Sequence, residues 1–291
     1  LGCEAEYPVR NNIVDLLPDS YKGIKEEGER ERERDEYFFP EEGFDRLFQA
    51  EDKNFWFRAR NRIIYTFFQR FVSEQDTILE IGCGTGYVST FLKAKGYSPD
   101  CGDLFKSALT YCRKRNAGRH YYCYNLYDRI FQNEYDVICA FDVLEHLDDD
   151  HLVFENIRES LNNQGRLILT VPACQRFWSS VDDHAGHKRR YEPKELREKL
   201  EEAGFTVERM SYFMLTLLPL YLISRFRVRQ SDNKSSPEEN DTLGGTINYE
   251  LNPPRVLNLL LYYILFVEIA VLKYINMPLG SSLICVATKK E

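Results

Sequence analysis

Thr77-Ile78-Leu79-Glu80-Ile81-Gly82-Cys83-Gly84-Thr85-Gly86-Tyr87 runs from a short apolar stretch straight into an acidic, glycine-rich turn. The apolar residues predict a buried strand, and glycine at 82, 84 and 86 permits a tight turn and a close approach of backbone to ligand. Val88 to Ala94 predicts a following helix whose first amides face that ligand. Spacing narrows the ligand class. A dinucleotide fingerprint requires GxGxxG, and its third glycine would fall on Tyr87, which disfavours a pyrophosphate loop and, with it, a nicotinamide-dependent oxidoreductase. The pattern present is ExGxGxG.

Working outward, three further stretches follow in order. They are Gly96 to Asp103, which ends on an acid; Tyr135 to His146, with Asp142-Val143-Leu144-Glu145-His146 at its end; and Gly165 to Pro172. In this order the segments resemble class I S-adenosylmethionine-dependent methyltransferases, over roughly residues 50–215 and again 276–290. The resemblance implies a three-layer α/β, Rossmann-like fold with a seven-stranded, mostly parallel sheet between helices. It also implies S-adenosylmethionine as cofactor and S-adenosylhomocysteine as product. By the same resemblance Glu80, Gly82, Cys83, Gly84 and Gly86 form the cofactor loop, and Asp103, with Leu104 beside it, accepts hydrogen bonds from the two ribose hydroxyls, a task suited to an acceptor-only carboxylate. His120 to Asn125 is the expected third strand. Where the family often carries an acid to contact the adenine amino group, this chain has Asn125 and then Asp128, and Asn125 is the candidate. Asp142 closes the fourth strand, where an open parallel sheet places its ligand crevice.

Phe55-Trp56-Phe57-Arg58-Ala59-Arg60 opens an amphipathic helix in front of the glycine loop. As a lid, it would pair Arg58 or Arg60 with the carboxylate of the methionine moiety, while Trp56 excluded water. As plain packing, its aromatics would seat the helix on the sheet and its arginines would face solvent. Both roles fit the residues. The Asp142 to His146 turn is similar to that of some ubiquinone-biosynthesis O-methyltransferases, which hold a divalent cation with an acid and the Glu-His pair; here the pair is expected to orient the turn, with no metal.

Phe177 to Tyr191 resembles a WSxxDxxxGHxRRY loop of methyltransferases associated with glycans and lipids. If the acceptor is a hydroxyl, His187 is the candidate general base, Asp182 or Asp183 orients it or binds the acceptor, and Arg190 holds an anionic group of the substrate. The competing expectation is that these residues only fix the loop.

Composition frames these assignments. The formal charge of −8 over 291 residues argues against an extended nucleic-acid surface. Eight cysteines without a CxxC pair suggest buried thiols and a cytoplasmic setting. Residues 1–43 read as an extension and charged linker, with Glu29 to Asp35 alternating in sign; Leu1 to Pro18 resembles the end of a zinc ribbon reduced to Cys3, or else an exposed tail. The core is expected over 44–215, a hydrophobic helical insertion with a polar linker over 216–275, and the final strand over 276–291.

Val256 to Ile275 approaches the length of a membrane span, but Asn258, Glu268 and Lys273 interrupt it, and the next strand must return to the same sheet. A crossing is therefore rejected. Packing, a homodimer contact, or rest on a membrane surface beside Arg225 to Arg229 remain open. The partner implied is a small-molecule or lipid-linked acceptor. The alternative function is a regulatory or scaffolding module that binds the cofactor or its product without turnover.

Overall fold

The computed structural model describes residues 7–18, 41–223 and 253–290. Cys3, the charged run, the Arg225 to Arg229 segment and the polar stretch after it lie outside the described residues.

Two N-terminal strands, β1 (Val9–Arg10) and β2 (Ile13–Asp15), precede helices α1 (Glu41–Ala50) and α2 (Phe55–Phe71). The alternating unit follows: β3 (Ile78–Ile81), α3 (Tyr87–Lys93), β4 (Pro99–Asp103), α4 (Lys106–Lys114), β5 (Tyr121–Cys123), β6 (Tyr135–Phe141), α5 (Asp150–Ser160) and β7 (Leu161–Pro172). After the short α6 (Ser180–His184) come α7 (Pro193–Glu202), β8 (Phe205–Phe213), α8 (Arg255–Leu272) and β9 (Ser282–Lys289). The strands form one sheet in the order β1-β2-β5-β4-β3-β6-β7-β9-β8. β9 runs antiparallel between β7 and β8, while β5, β4, β3, β6 and β7 are parallel neighbours.

The seven expected strands are all present, and two more extend the sheet. β2 pairs in parallel with β5, Val14 opposite Tyr122 and Asp15 opposite Cys123. Ile13, Leu16 and Leu17 are buried, and Asp15 accepts a hydrogen bond from Lys106 Nζ at 2.5 Å. The expectation of an exposed tail holds for residues 7–12 and is corrected for residues 13–17, where Ile13, Leu16 and Leu17 are apolar enough to cover the edge of β5.

Strand alternation divides the core between the two faces. Leu79, Ile81, Ile138 and Ala140 pack on one side with Phe154 and Tyr191; Ile78, Val137, Cys139 and Ile168 pack on the other with Ile63, Phe67 and Leu265. α8 supplies Leu265, Ile269 and Leu272 to this second side, against α2. Glu268, the carboxylate that counted against a membrane crossing, is buried and accepts from Leu215 N, Thr216 N and Thr216 Oγ1 at 3.1, 2.9 and 2.7 Å. Because β9 lies between β7 and β8, α8 returns the chain to its own sheet. The order of winding reverses at β3, whose parallel neighbours are β4 on one side and β6 on the other; this switch point opens a crevice beyond their carboxyl ends.

Candidate active site

Gly82, Gly84 and Gly86 all adopt left-handed backbone, with φ of 61°, 53° and 75°. Their surroundings differ. A Cβ on Gly82 would strike Val143, and one on Gly86 would lie 2.5 Å from Cys112 Sγ, but one on Gly84 would meet nothing within 4 Å. The first and third glycines serve packing, and the second faces open space. Asp103 closes the same loop from β4: Oδ2 accepts from Gly84 N at 2.8 Å and Oδ1 from Phe105 N at 2.9 Å.

Other loop residues brace it from below. Glu80 is buried and accepts from Ser89 Oγ on α3, and burial raises its carboxyl pKa to about 8. The Cys83 side chain turns inward, its Sγ 3.8 Å from Cys112 Sγ. Leu104 packs on the cluster containing Ile13 and Leu109. Asn125 is buried after β5 and accepts from Tyr127 N at 3.1 Å.

Arg58 is corrected. Its guanidinium carbon lies 4.3 Å from the Tyr262 ring centre, on the face of α2 that meets α8. Two residues along a helix turn through about 200°, so Arg60 points the other way. Its Nε is 2.8 Å from Asp142 Oδ2, its Nη2 donates to Phe141 O at 3.0 Å, and Trp56 lies 5.3 Å beneath. Asp142 itself has φ 56° and accepts from Thr170 Oγ1 at 3.1 Å.

Sequence inspection missed Glu51. This buried carboxylate accepts from Thr85 Oγ1 of the glycine loop and pairs with Arg115 at 3.0 Å, so the segment in front of α2 is fastened to the loop. Nothing in the Ala50-Glu51-Asp52-Lys53 run separates Glu51 from a surface acid, and Arg115 belongs to a basic run that reads as solvated. Burial lifts the Glu51 pKa to about 7. Glu51 and Glu80 both bind a proton more tightly folded than unfolded, so their contribution falls as pH rises from about 4.5 through 7 and 8. Thermal melts are expected to move down by several degrees between pH 5 and 8.5, and Glu80→Gln is expected to flatten that slope.

The loop after β7 is built around Asp182. It is 1% exposed, and its carboxylate accepts from Ser179 N at 3.0 Å and Arg190 Nε at 2.8 Å, with His187 Nδ1 2.9 Å away. Asp182 therefore orients His187 and has no role as an exposed acceptor ligand. Two expectations are corrected. Asp183 is exposed and bonded to Trp178 Nε1 at 3.1 Å, one helical step away from the face that carries Asp182. Arg190 is buried, with its guanidinium on Asp182 and on Ala173 O at 3.1 Å, so it locks the loop to the end of β7 and holds no substrate anion.

His187 faces the Asp142 to His146 turn, its ring 4.9 Å from that of His146. Burial, and then the neighbouring His187, lower the His146 pKa to about 4, which keeps it neutral. Burial, with Asp142 nearby, pushes the Glu145 carboxyl well up, and Glu145 Oε2 is enclosed without a hydrogen-bond partner. Glu145, His146 and His187 each bring a ligand-type atom within 4.8 Å of the others. The turn and the loop facing it thus bring together two imidazoles and a carboxylate, donors of the kind divalent cations take.

The chain belongs to the methyltransferase domain family, whose model matches residues 48–209. A Mycobacterium tuberculosis protein named "Probable S-adenosylmethionine-dependent methyltransferase" is 27% identical over 156 residues, which are 53% of this chain and 56% of that one. A ubiquinone biosynthesis O-methyltransferase of Rickettsia bellii is 22% identical over 151 residues, 46% of this chain and 62% of that one. The chain spans somewhat over half the length of these curated relatives. Among solved structures, Haemonchus contortus phosphoethanolamine N-methyltransferase 2 in complex with S-adenosyl-L-methionine shares the fold with a TM-score of 0.55 at 16% identity, covering 89% of this chain and 59% of that one. A chain of the complex between the Haloferax volcanii Trm112 methyltransferase activator and a methyltransferase gives a TM-score of 0.55 at 17% identity, covering 85% and 98%. The family's cofactor is S-adenosylmethionine, and the crevice fits it: Gly84 leaves open the space a side chain would fill, directly beside Asp103.

Proposed function

We propose that this chain is an S-adenosylmethionine-dependent methyltransferase that methylates a hydroxyl on a small or lipid-linked acceptor, with His187 as general base. The observation that carries the proposal is the position of His187: anchored through Nδ1 on buried Asp182 and set against the turn that ends β6, the strand beside the glycine loop. Donation from Nδ1 to Asp182 leaves Nε2 as the basic nitrogen. Bound at the loop, the sulfonium cofactor supplies an electrophilic methyl group.

The chain's own residues would do the rest. Asp103 and the Gly84 backbone hold the ribose end, and Arg60, above Trp56 and paired with Asp142, frames the other end. His187 Nε2 takes the proton of the acceptor hydroxyl. Glu145 lies buried beneath the imidazoles of His146 and His187, in the turn that carries His146. Orienting donor and acceptor at contact distance can supply about 7–11 kcal/mol of the barrier reduction. The Rickettsia relative, named as an O-methyltransferase, agrees with a hydroxyl acceptor.

Calorimetric titration with S-adenosylmethionine and S-adenosylhomocysteine, with NADH as control, tests the cofactor half. Binding of both sulfur compounds and none of NADH is expected; no binding of either would sink the proposal. For the acceptor half, His187→Ala is expected to lower kcat by about 10²–10⁴ at unchanged cofactor affinity. Turnover that survives a chelator fits His187 as base. Turnover lost on chelation and restored by a divalent cation would make His187 a ligand instead.

A further inference from the structure

Among the described residues, every exposed large apolar side chain except Tyr7 and Val9 falls between Leu220 and Leu279. On α8 they form a stripe. Val256, Leu260, Tyr263, Val267 and Val271 recur every three or four residues, opposite the stripe of Leu261, Leu265, Ile269 and Leu272 that packs on α2. Val256 is 83% exposed and Val267 64%, and Tyr274 continues the stripe beyond the helix at 84%. An apolar surface this continuous marks an interaction site.

Charge identifies what it meets. The single carboxylate of α8, Glu268, is buried against Leu215 and Thr216. Exposed Arg255 and Lys273 stand at the two ends of the helix, and Arg62 lies along its flank, 5.8 Å from the Tyr262 and Phe266 rings. A chain of net charge −8 has gathered cations around its apolar face.

A second copy is a poor match. Pairing two α8 helices antiparallel sets Arg255 against Lys273, parallel pairing sets Arg255 against Arg255, and the face offers no carboxylate to compensate. Residues 224–252 of the chain itself carry Phe226, Val228, Ile247, Tyr249 and Leu251 near their two ends, but Gln230 to Thr246 between them contains only Leu243 as a large apolar residue, too few to cover a stripe that runs from Val256 to Val271. Apolar residues and tyrosines edged by cations match the headgroup boundary of an anionic bilayer.

We propose that α8 lies in the plane of an anionic membrane surface, with the Val256 to Val271 stripe in the lipid and the flanking cations on phosphate headgroups. The contact also places the crevice. Asn258, in the first turn of α8, accepts from Phe55 N and donates to Lys53 O, both at 2.7 Å, and so joins α8 to the start of α2, whose Arg60 meets Asp142. Beside the His187 loop, Tyr221 stands 5.8 Å from the Phe177 ring. An acceptor anchored in the same bilayer would thus meet the crevice from the membrane side. This last step rests on the methyltransferase proposal, whereas docking does not.

The test is co-sedimentation of the full chain with phosphatidylcholine vesicles, with and without about 30% phosphatidylglycerol, at low and high salt, beside sedimentation velocity without lipid. Expected is binding to the anionic vesicles that weakens at least tenfold in high salt and in a Leu260→Asn/Val267→Asn variant, while cofactor titration of that variant is unchanged. Both positions are exposed, so the fold should tolerate the change. Absence of binding to anionic vesicles, equal binding to neutral ones, or a stable dimer dissolved by the same double substitution would each overturn the proposal. Loss of cofactor binding in the parent chain would instead strike at the methyltransferase assignment and leave the docking result intact.

Discussion

Asp182→Ala is expected to lower the melting temperature by roughly 6–20 °C, the largest single effect in the site. Arg190 is 5% exposed and rests on Asp182 through contacts of 2.8 and 2.6 Å, so the alanine leaves a buried cation without its partner. Breaking such a pair from one side costs about 3–5 kcal/mol, and a chain of this size shifts by about 2–4 °C per kcal/mol. The capping box that Asp182 closes with Ser179 is lost as well. Scanning calorimetry measures the effect. Adding Arg190→Met should restore a good part of it, because the pair is then removed whole. If Asp182→Ala melted within about two degrees of the parent, the pair would not be what anchors the loop.

Asp103→Ala is expected to weaken S-adenosylmethionine binding by about 10- to 150-fold, equivalent to about 1.5–3 kcal/mol for hydrogen bonds to a charged group. Two losses add. The ribose hydroxyls lose their acceptor, and the Gly84 and Phe105 amides lose the carboxylate that holds them at 2.8 and 2.9 Å. Asp103→Asn keeps one acceptor oxygen and should fall between parent and alanine. Calorimetric titration of the three proteins ranks them. Equal affinities would mean that the cofactor sits elsewhere.

How much of this was visible in the residues follows from the kind of signal each carried. Strands β3, β6 and β7 were legible because each is an apolar run ending in a polar turn, whereas β4, Pro99-Asp100-Cys101-Gly102-Asp103, was legible only by its place in the motif order and its final acid. β1 and β2 were hidden by length: two and three residues are too few for an alternating pattern, and they gain a partner only through β5. In the site, the glycines were readable from their spacing, and Asp103 from the resemblance of the motif order to the methyltransferase family. Arg58 was misplaced because position on a helix face, and not proximity in sequence, decides between it and Arg60. Arg190 read as an anion-binding group because burial cannot be seen in a run such as Lys188-Arg189-Arg190; in the structure Lys188 is exposed while Arg190 is enclosed. Glu145 was noticed as part of a turn, but its orphaned oxygen is a property of packing alone.

The antiparallel strand β9 imposes an order of events on synthesis. It lies between β7 and β8, yet it follows both in the sequence, with all of α8 and its preceding linker in between. While the ribosome is still making residues 214–281, the edge of β7 has no neighbour and β8 has nothing to pair with. Exposed strand edges of this kind invite wrong partners, and pairings between distant segments form slowly. The nascent chain must therefore carry an incomplete sheet and an uncovered apolar helix together until Ser282 to Lys289 emerge and slot between strands already made. A chaperone or a nearby lipid surface would have its greatest effect on yield during that interval.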